Sequence, residues 1–109
     1  MVKADTGVKA IVERYCNELD RMGIHCERVL LFGSQAEGRA KEGSDIDLIV
    51  ISPMLATLSN RERLELLGVA AARILEPIQA FGVTPDEAAA RRVSPFVQDL
   101  LDKQAVVIL

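Results

Sequence analysis

Ile46 to Ile51 is an aliphatic run broken by a single polar residue, and that residue is an aspartate, Asp47. A second aspartate, Asp45, stands just ahead of it. Val29-Leu30-Leu31-Phe32 is a shorter run of the same kind and ends at Gly33-Ser34. Short apolar runs bounded by Gly, Ser and Pro predict buried strands. The stretch from Leu30 to Ser52 is therefore expected to hold two strands joined by a small-residue loop, with a short helical segment over Gln35 to Lys41. The rest of the chain has to be arranged around that pair.

Alternation along a strand puts Asp45 and Asp47 on one face, with Cα atoms about 7 Å apart. Two carboxylates about 4 Å apart repel by roughly 1 kcal/mol in water and roughly 4 kcal/mol near a protein surface. A strand start has no need of such a pair. A divalent cation between the two reverses the sign, and Mg²⁺ favours one or two carboxylates completed by water and phosphate. Gly33-Ser34 supplies the matching half. Unpaired N–H groups at a helix start attract anions, Gly permits close approach, and Ser adds a hydroxyl donor. A phosphate cradle beside an acidic pair is the chemistry of nucleoside triphosphates and of displacement at phosphorus.

Gly33-Ser34, a gap of ten residues, then Asp45-Ile46-Asp47 resembles the signature of the DNA polymerase beta-like nucleotidyltransferases. The longer match GSQAEGRAKEGSDIDLIVIS is similar to their small bacterial and archaeal branch, the minimal nucleotidyltransferases. The resemblance implies a two-metal Mg²⁺ site on Asp45 and Asp47, with Gly33 and Ser34 holding the β- and γ-phosphates. Arg39 and Lys41 could reach triphosphate oxygens, though a solvated surface explains them equally well. The family also carries a third carboxylate on the strand after the long helix. Its pattern falls here on Gln79, a neutral amide that cannot act as a base near pH 7. Ile78 and Ala80 flank Gln79, so a small register error supplies no acid, and Glu76 precedes Pro77, off the strand. The second metal is expected to be weakened.

Two function classes follow. The first is an enzyme moving a nucleoside monophosphate, AMP from ATP by preference, to a hydroxyl on a HEPN-domain partner, as the resemblance implies. The second is a non-catalytic antitoxin or partner-binding module on the same fold. Gly-Ser with the Asp pair favours the first, and Gln79 favours the second. A purely structural domain is the bland alternative, and the acidic pair argues against it.

With 109 residues the chain suits one domain, residues 1–109. The net charge of -3 argues against a broad nucleic-acid surface. Only 4% of residues are aromatic, so the core must be aliphatic. Cys16, Cys26 and the lone His25 form no zinc set and read as reduced, structural thiols and a rim residue. No signal peptide or membrane span is apparent, which points to a cytoplasmic protein. The high apolar fraction leaves a homodimer or a permanent partner open.

In order, Asp5 or Thr6 is expected to cap a first helix with an apolar stripe at Val8, Ile11, Val12, Tyr15, Leu19 and Met22, ended by Gly23. Ser59 and Glu62 form a capping box for a long helix with a stripe at Leu64, Leu67, Ala71, Ile74 and Leu75. Its Arg61, Arg63 and Arg73 read as solvated. Ile78 to Val83 predicts a third strand, weakened by Gly82. Thr84-Pro85-Asp86-Glu87 and Ser94-Pro95 open two more helices, and Ala105 to Leu109 an edge strand. The expected architecture is α/β, or α+β: a small mixed sheet of about four strands, helices mainly on one face, and a site open at one edge.

Overall fold

The computed structural model describes residues 3–33, 45–104 and 106–109. Helix α1 (Lys3–Arg21) leads into strand β1 (Arg28–Phe32), which pairs antiparallel with β2 (Ile46–Ile51). A 3₁₀ turn (Pro53–Thr57) and helix α2 (Asn60–Arg73) then return the chain to β3 (Ile78–Val83), parallel to β2. Two short helices, α3 (Pro85–Ala89) and α4 (Pro95–Asp99), run into a π-helical turn (Leu100–Gln104) and strand β4 (Val106–Val107), antiparallel to β1. Among the described residues the sheet has the order β3-β2-β1-β4 and is mixed, as expected.

Alternation divides the sheet's side chains between two apolar layers. Val29, Leu31, Ile46, Leu48 and Val50 pack under α1 and α2, against Val12, Tyr15, Leu19, Leu67 and Ala70. Leu30, Phe32, Ile49 and Ile51 face the other way, against Val83, Val97 and Leu100. Both long helices thus share one face, and short segments cover part of the other. Each fully buried aliphatic side chain contributes roughly 1.5–3 kcal/mol relative to exposure. Tyr15 lies in the first layer, where its hydroxyl donates to the Leu67 carbonyl at 2.7 Å. Burial raises its pKa above the ordinary tyrosine value.

The capping chemistry forms as the sequence dictates. Ser59 with Glu62 and Thr84 with Glu87 both close reciprocal capping boxes, and Ser94 accepts from the Val97 amide. Gly23 takes a left-handed φ of 89° after α1. That helix begins at Lys3, so neither Asp5 nor Thr6 caps it.

Three side chains depart from expectation. Arg63 is only 6% exposed rather than solvated. It lies on the same helical face as Leu67, Ala70 and Ala71, at spacings of four, seven and eight. Its Nε donates to the Leu55 and Leu58 carbonyls, Nη1 reaches the Gly82 carbonyl, and the guanidinium forks onto Glu87 at 2.7 and 3.0 Å. Leu64 is exposed because it sits one residue, or about 100°, off that face. Leu75 is 87% exposed because α2 has already ended and Leu75 takes a positive φ of 56°. Arg61 and Arg73 are indeed largely solvated, paired with Glu65 and Glu18.

Candidate active site

The start of β2 lies between the end of β1 and the start of β3. Register sets Asp47 directly across from Phe32 on one side and Gln79 on the other. Side chains paired across a sheet share a face. Asp45, two residues before Asp47, joins the same face at the sheet's edge. Gln79 Nε2 donates to Asp45 Oδ2 at 3.2 Å. Three residues singled out from sequence therefore meet, two at the start of β2 and one on β3.

Gly33 closes the site where β1 ends. Its φ is 76°, in the left-handed region that favours glycine. A Cβ built there would collide with Asp47 Oδ2. The missing side chain is thus what lets the backbone turn pass over the carboxylate. Ser34, Arg39, Lys41 and the expected Gln35–Lys41 helix lie outside the described residues.

The electrostatics match the geometry. Partial burial raises the Asp47 carboxyl pKa above the ordinary value, and the neighbouring Asp45 charge raises it further. Two acids in this relation favour a bound cation, and hard oxygen donors of this kind suit Mg²⁺. Among the described residues no group of three or more His, Cys, Asp or Glu stands together as a metal cluster. Gln79, on which the family pattern is expected to place a third acid, presents its amide to Asp45. Glu76, a residue close enough in sequence to substitute, is turned to α1, where Arg14 donates to it at 3.1 Å. His25 lies away on the connector, its Nδ1 3.6 Å from Asp20. Asp86 and Glu87 serve the α3 N-terminus, as their positions predict.

Two features escaped the sequence reading. One is an aromatic cluster beside the acids, made by Phe32, Phe81 and Phe96. The alternation Gln79-Ala80-Phe81 could have placed Phe81 on the acidic face. The other is a cleft of about 400 Å³ at the far end of β3, lined by Arg63, Leu64, Gly82, Glu87 and Val93 among others. It lies beyond the acidic pair and is floored by the Arg63–Glu87 ion pair.

A family model, the nucleotidyltransferase domain, matches residues 12–81. The chain belongs to this family. The matched segment runs from within α1 into β3 and so contains Gly33, the Asp pair and Gln79 of the domain. Solved structures share its fold. A toxin–antitoxin structure with AMP-PNP is 24% identical, covers 85% of this chain and 71% of that chain, and gives a TM-score of 0.57. A Sulfolobus solfataricus protein assigned as a nucleotidyltransferase is 20% identical over 98% of this chain and 87% of its own, also at 0.57. A mutant of the toxin–antitoxin MntA-HpeT is 19% identical over 92% and 70%, again at 0.57. No curated protein sequence matches the chain. Among the described residues of this nucleotidyltransferase domain, no helix is long and apolar enough to cross a membrane.

Proposed function

We propose that this domain moves a nucleoside monophosphate, AMP from ATP, onto a hydroxyl of a partner protein, and does so slowly. The observation that carries the reading is the convergence of Asp45 and Asp47 under Gly33, with Gln79 beside them. Asp45 and Asp47 would hold Mg²⁺. When bound, that ion neutralises phosphate charge and leaves the phosphorus open to in-line attack. Gly33 leaves room for phosphate oxygens at the end of β1. Ser34, and Arg39 beyond it, would donate to the β- and γ-phosphates so that pyrophosphate can leave. The acceptor oxygen must shed its proton as it bonds to phosphorus. Gln79 cannot take that proton, which therefore passes to solvent water, and its amide already donates to Asp45. A second ion on the acceptor side would be held weakly for the same reason.

The toxin–antitoxin neighbours, one of them with AMP-PNP, support a nucleotide and a toxin-type protein partner, and the family resemblance suggests a partner of the HEPN type. A second reading is a module that neutralises such a partner by binding alone, and Gln79 is the observation in its favour. A homodimer is compatible with either. Calorimetric titration with ATP, in Mg²⁺ and in chelator, separates them. Mg²⁺-dependent binding that disappears in Asp47→Asn supports the transferase. Absence of binding at millimolar ATP moves the assignment to the partner-binding module.

A further inference from the structure

Three phenylalanines, one tyrosine and no tryptophan make up the aromatic content of the chain. All three phenylalanines meet in one place. The rings of Phe32 and Phe81 stack with centroids 6.2 Å apart and planes 26° apart. Phe96 stands nearly perpendicular to both, 6.4 Å from Phe32 at 80° and 5.8 Å from Phe81 at 70°. Such edge-to-face contacts hold a ring in a preferred orientation.

The cluster borders the acidic pair. Phe32 is the cross-strand partner of Asp47, and Phe81 follows Gln79 by two residues on the same face, about 7 Å along the strand. Phe32 is 7% exposed, whereas Phe96 is 56% exposed. A buried ring and a half-buried one therefore form a floor, and the third rises from it with much of its surface in water. Scattered exposed apolar side chains are ordinary on protein surfaces. This one differs in being fixed by two aromatic neighbours, on a helix set by the Ser94 cap and Pro95, at the rim of the candidate site.

We infer that the ring of Phe96 is the seat on which the base of the nucleotide stacks. The inference rests on the nucleotide-binding reading above and adds the residue that holds the base. With triphosphate at Gly33 and the acidic pair, the ribose would span the step from Asp47 past Phe32 toward Phe96. A phenyl ring has a π-face and no hydrogen-bonding group, so it reads ring area and not the pattern of donors and acceptors. Purines are then preferred over pyrimidines, with little distinction by Phe96 between adenine and guanine.

The test compares Mg²⁺ complexes of ATP, GTP, CTP, UTP and inorganic tripolyphosphate, titrated calorimetrically into the whole chain. Phe96→Ala is expected to weaken ATP roughly tenfold, in the range of stacking losses on alanine substitution, and to leave tripolyphosphate binding as in wild type. Phe96→Leu keeps bulk without a π-face and should behave alike, which guards against a folding defect in the alanine variant. Phe96→Trp introduces the only tryptophan, whose fluorescence should be quenched by ATP and GTP but not by tripolyphosphate. Unchanged ATP affinity in Phe96→Leu, equal weakening of ATP and tripolyphosphate, or wild-type binding of ATP no tighter than tripolyphosphate overturns the assignment while a triphosphate site stands. A wild-type chain that binds neither compound removes the nucleotide reading itself, and the base seat with it.

Discussion

Replacing Gln79 by aspartate tests the geometry of the acidic end and its chemistry together. Gln79 Nε2 lies 3.2 Å from Asp45 Oδ2 and donates to it. The substitution removes that bond and sets a carboxylate toward a carboxylate. At about 4 Å the repulsion is roughly 1 kcal/mol in water and roughly 4 kcal/mol near a protein surface. Asp45 and Gln79 are both exposed, so the lower part of that range applies. A cost of about 1 kcal/mol corresponds to about 4–8 °C in Tm for a domain of this size. Gln79→Asp is therefore expected to melt several degrees below wild type in chelator, by circular dichroism. Millimolar Mg²⁺ should recover most of the difference and shift wild type less. The same variant should raise transfer of label from α-labelled ATP, because a carboxylate can accept the proton that an amide cannot. Melting at the wild-type temperature in chelator, with no response to Mg²⁺, would show that residues 45 and 79 do not face one another and would refute the argument.

Other expectations follow from single contacts. Gly33→Ala should abolish Mg²⁺-ATP binding in calorimetry, since the left-handed φ costs an L-residue roughly 1–2 kcal/mol and the new Cβ displaces Asp47. The hydrogen bonds from Arg63, and then from Thr84, hold the Glu87 pKa at about 2, down from 4.5. A lowered carboxyl pKa stabilises the fold fully above the unfolded value, and that stabilisation is lost as pH falls through the folded value. Urea melts taken from pH 5 down to pH 2 should show wild type losing stability more steeply than Glu87→Gln. Cys16 and Cys26 share a hydrogen bond that lowers the Cys16 pKa and, with burial, raises that of Cys26. Iodoacetamide should modify Cys16 first by peptide mapping, and Cys26→Ala should slow that reaction; faster labelling of Cys26 would reverse the assignment.

Much of the fold was legible because its signals are local. The bounds of β2 and β3 follow from apolar runs between Ser, Pro and Thr, and the helix starts from capping residues. Gly82 weakened the case for β3 on propensity, yet its lack of a side chain is what packing requires. A Cβ there would stand 2.8 Å from Leu55 Cδ1 and 3.3 Å from Leu67 Cδ1. Arg63 misled because charge argues for water, while its position on the Leu67 face argues for burial. The position won because three carbonyls and Glu87 satisfy the guanidinium. Neither the carbonyls nor Glu87 can be assigned to Arg63 from sequence, since they come from separate segments that only the fold brings together.

The acidic site divides along the same line. Asp45 and Asp47 share a face by strand alternation alone, and Gly33 announces a turn. What the sequence could not supply is the direction of the Gln79 amide. It points its N–H at Asp45, which partly offsets the repulsion between two neighbouring acids without bringing a third negative charge. An acid at residue 79 would reverse that balance, costing stability in the absence of a cation and restoring a group able to accept a proton. Under the transferase reading proposed above, Gln79 lowers the charge of the acidic end at the expense of a group able to accept a proton. The Mg²⁺ dependence of Gln79→Asp melting measures that balance directly, because only a cation between the carboxylates offsets the repulsion the substitution introduces.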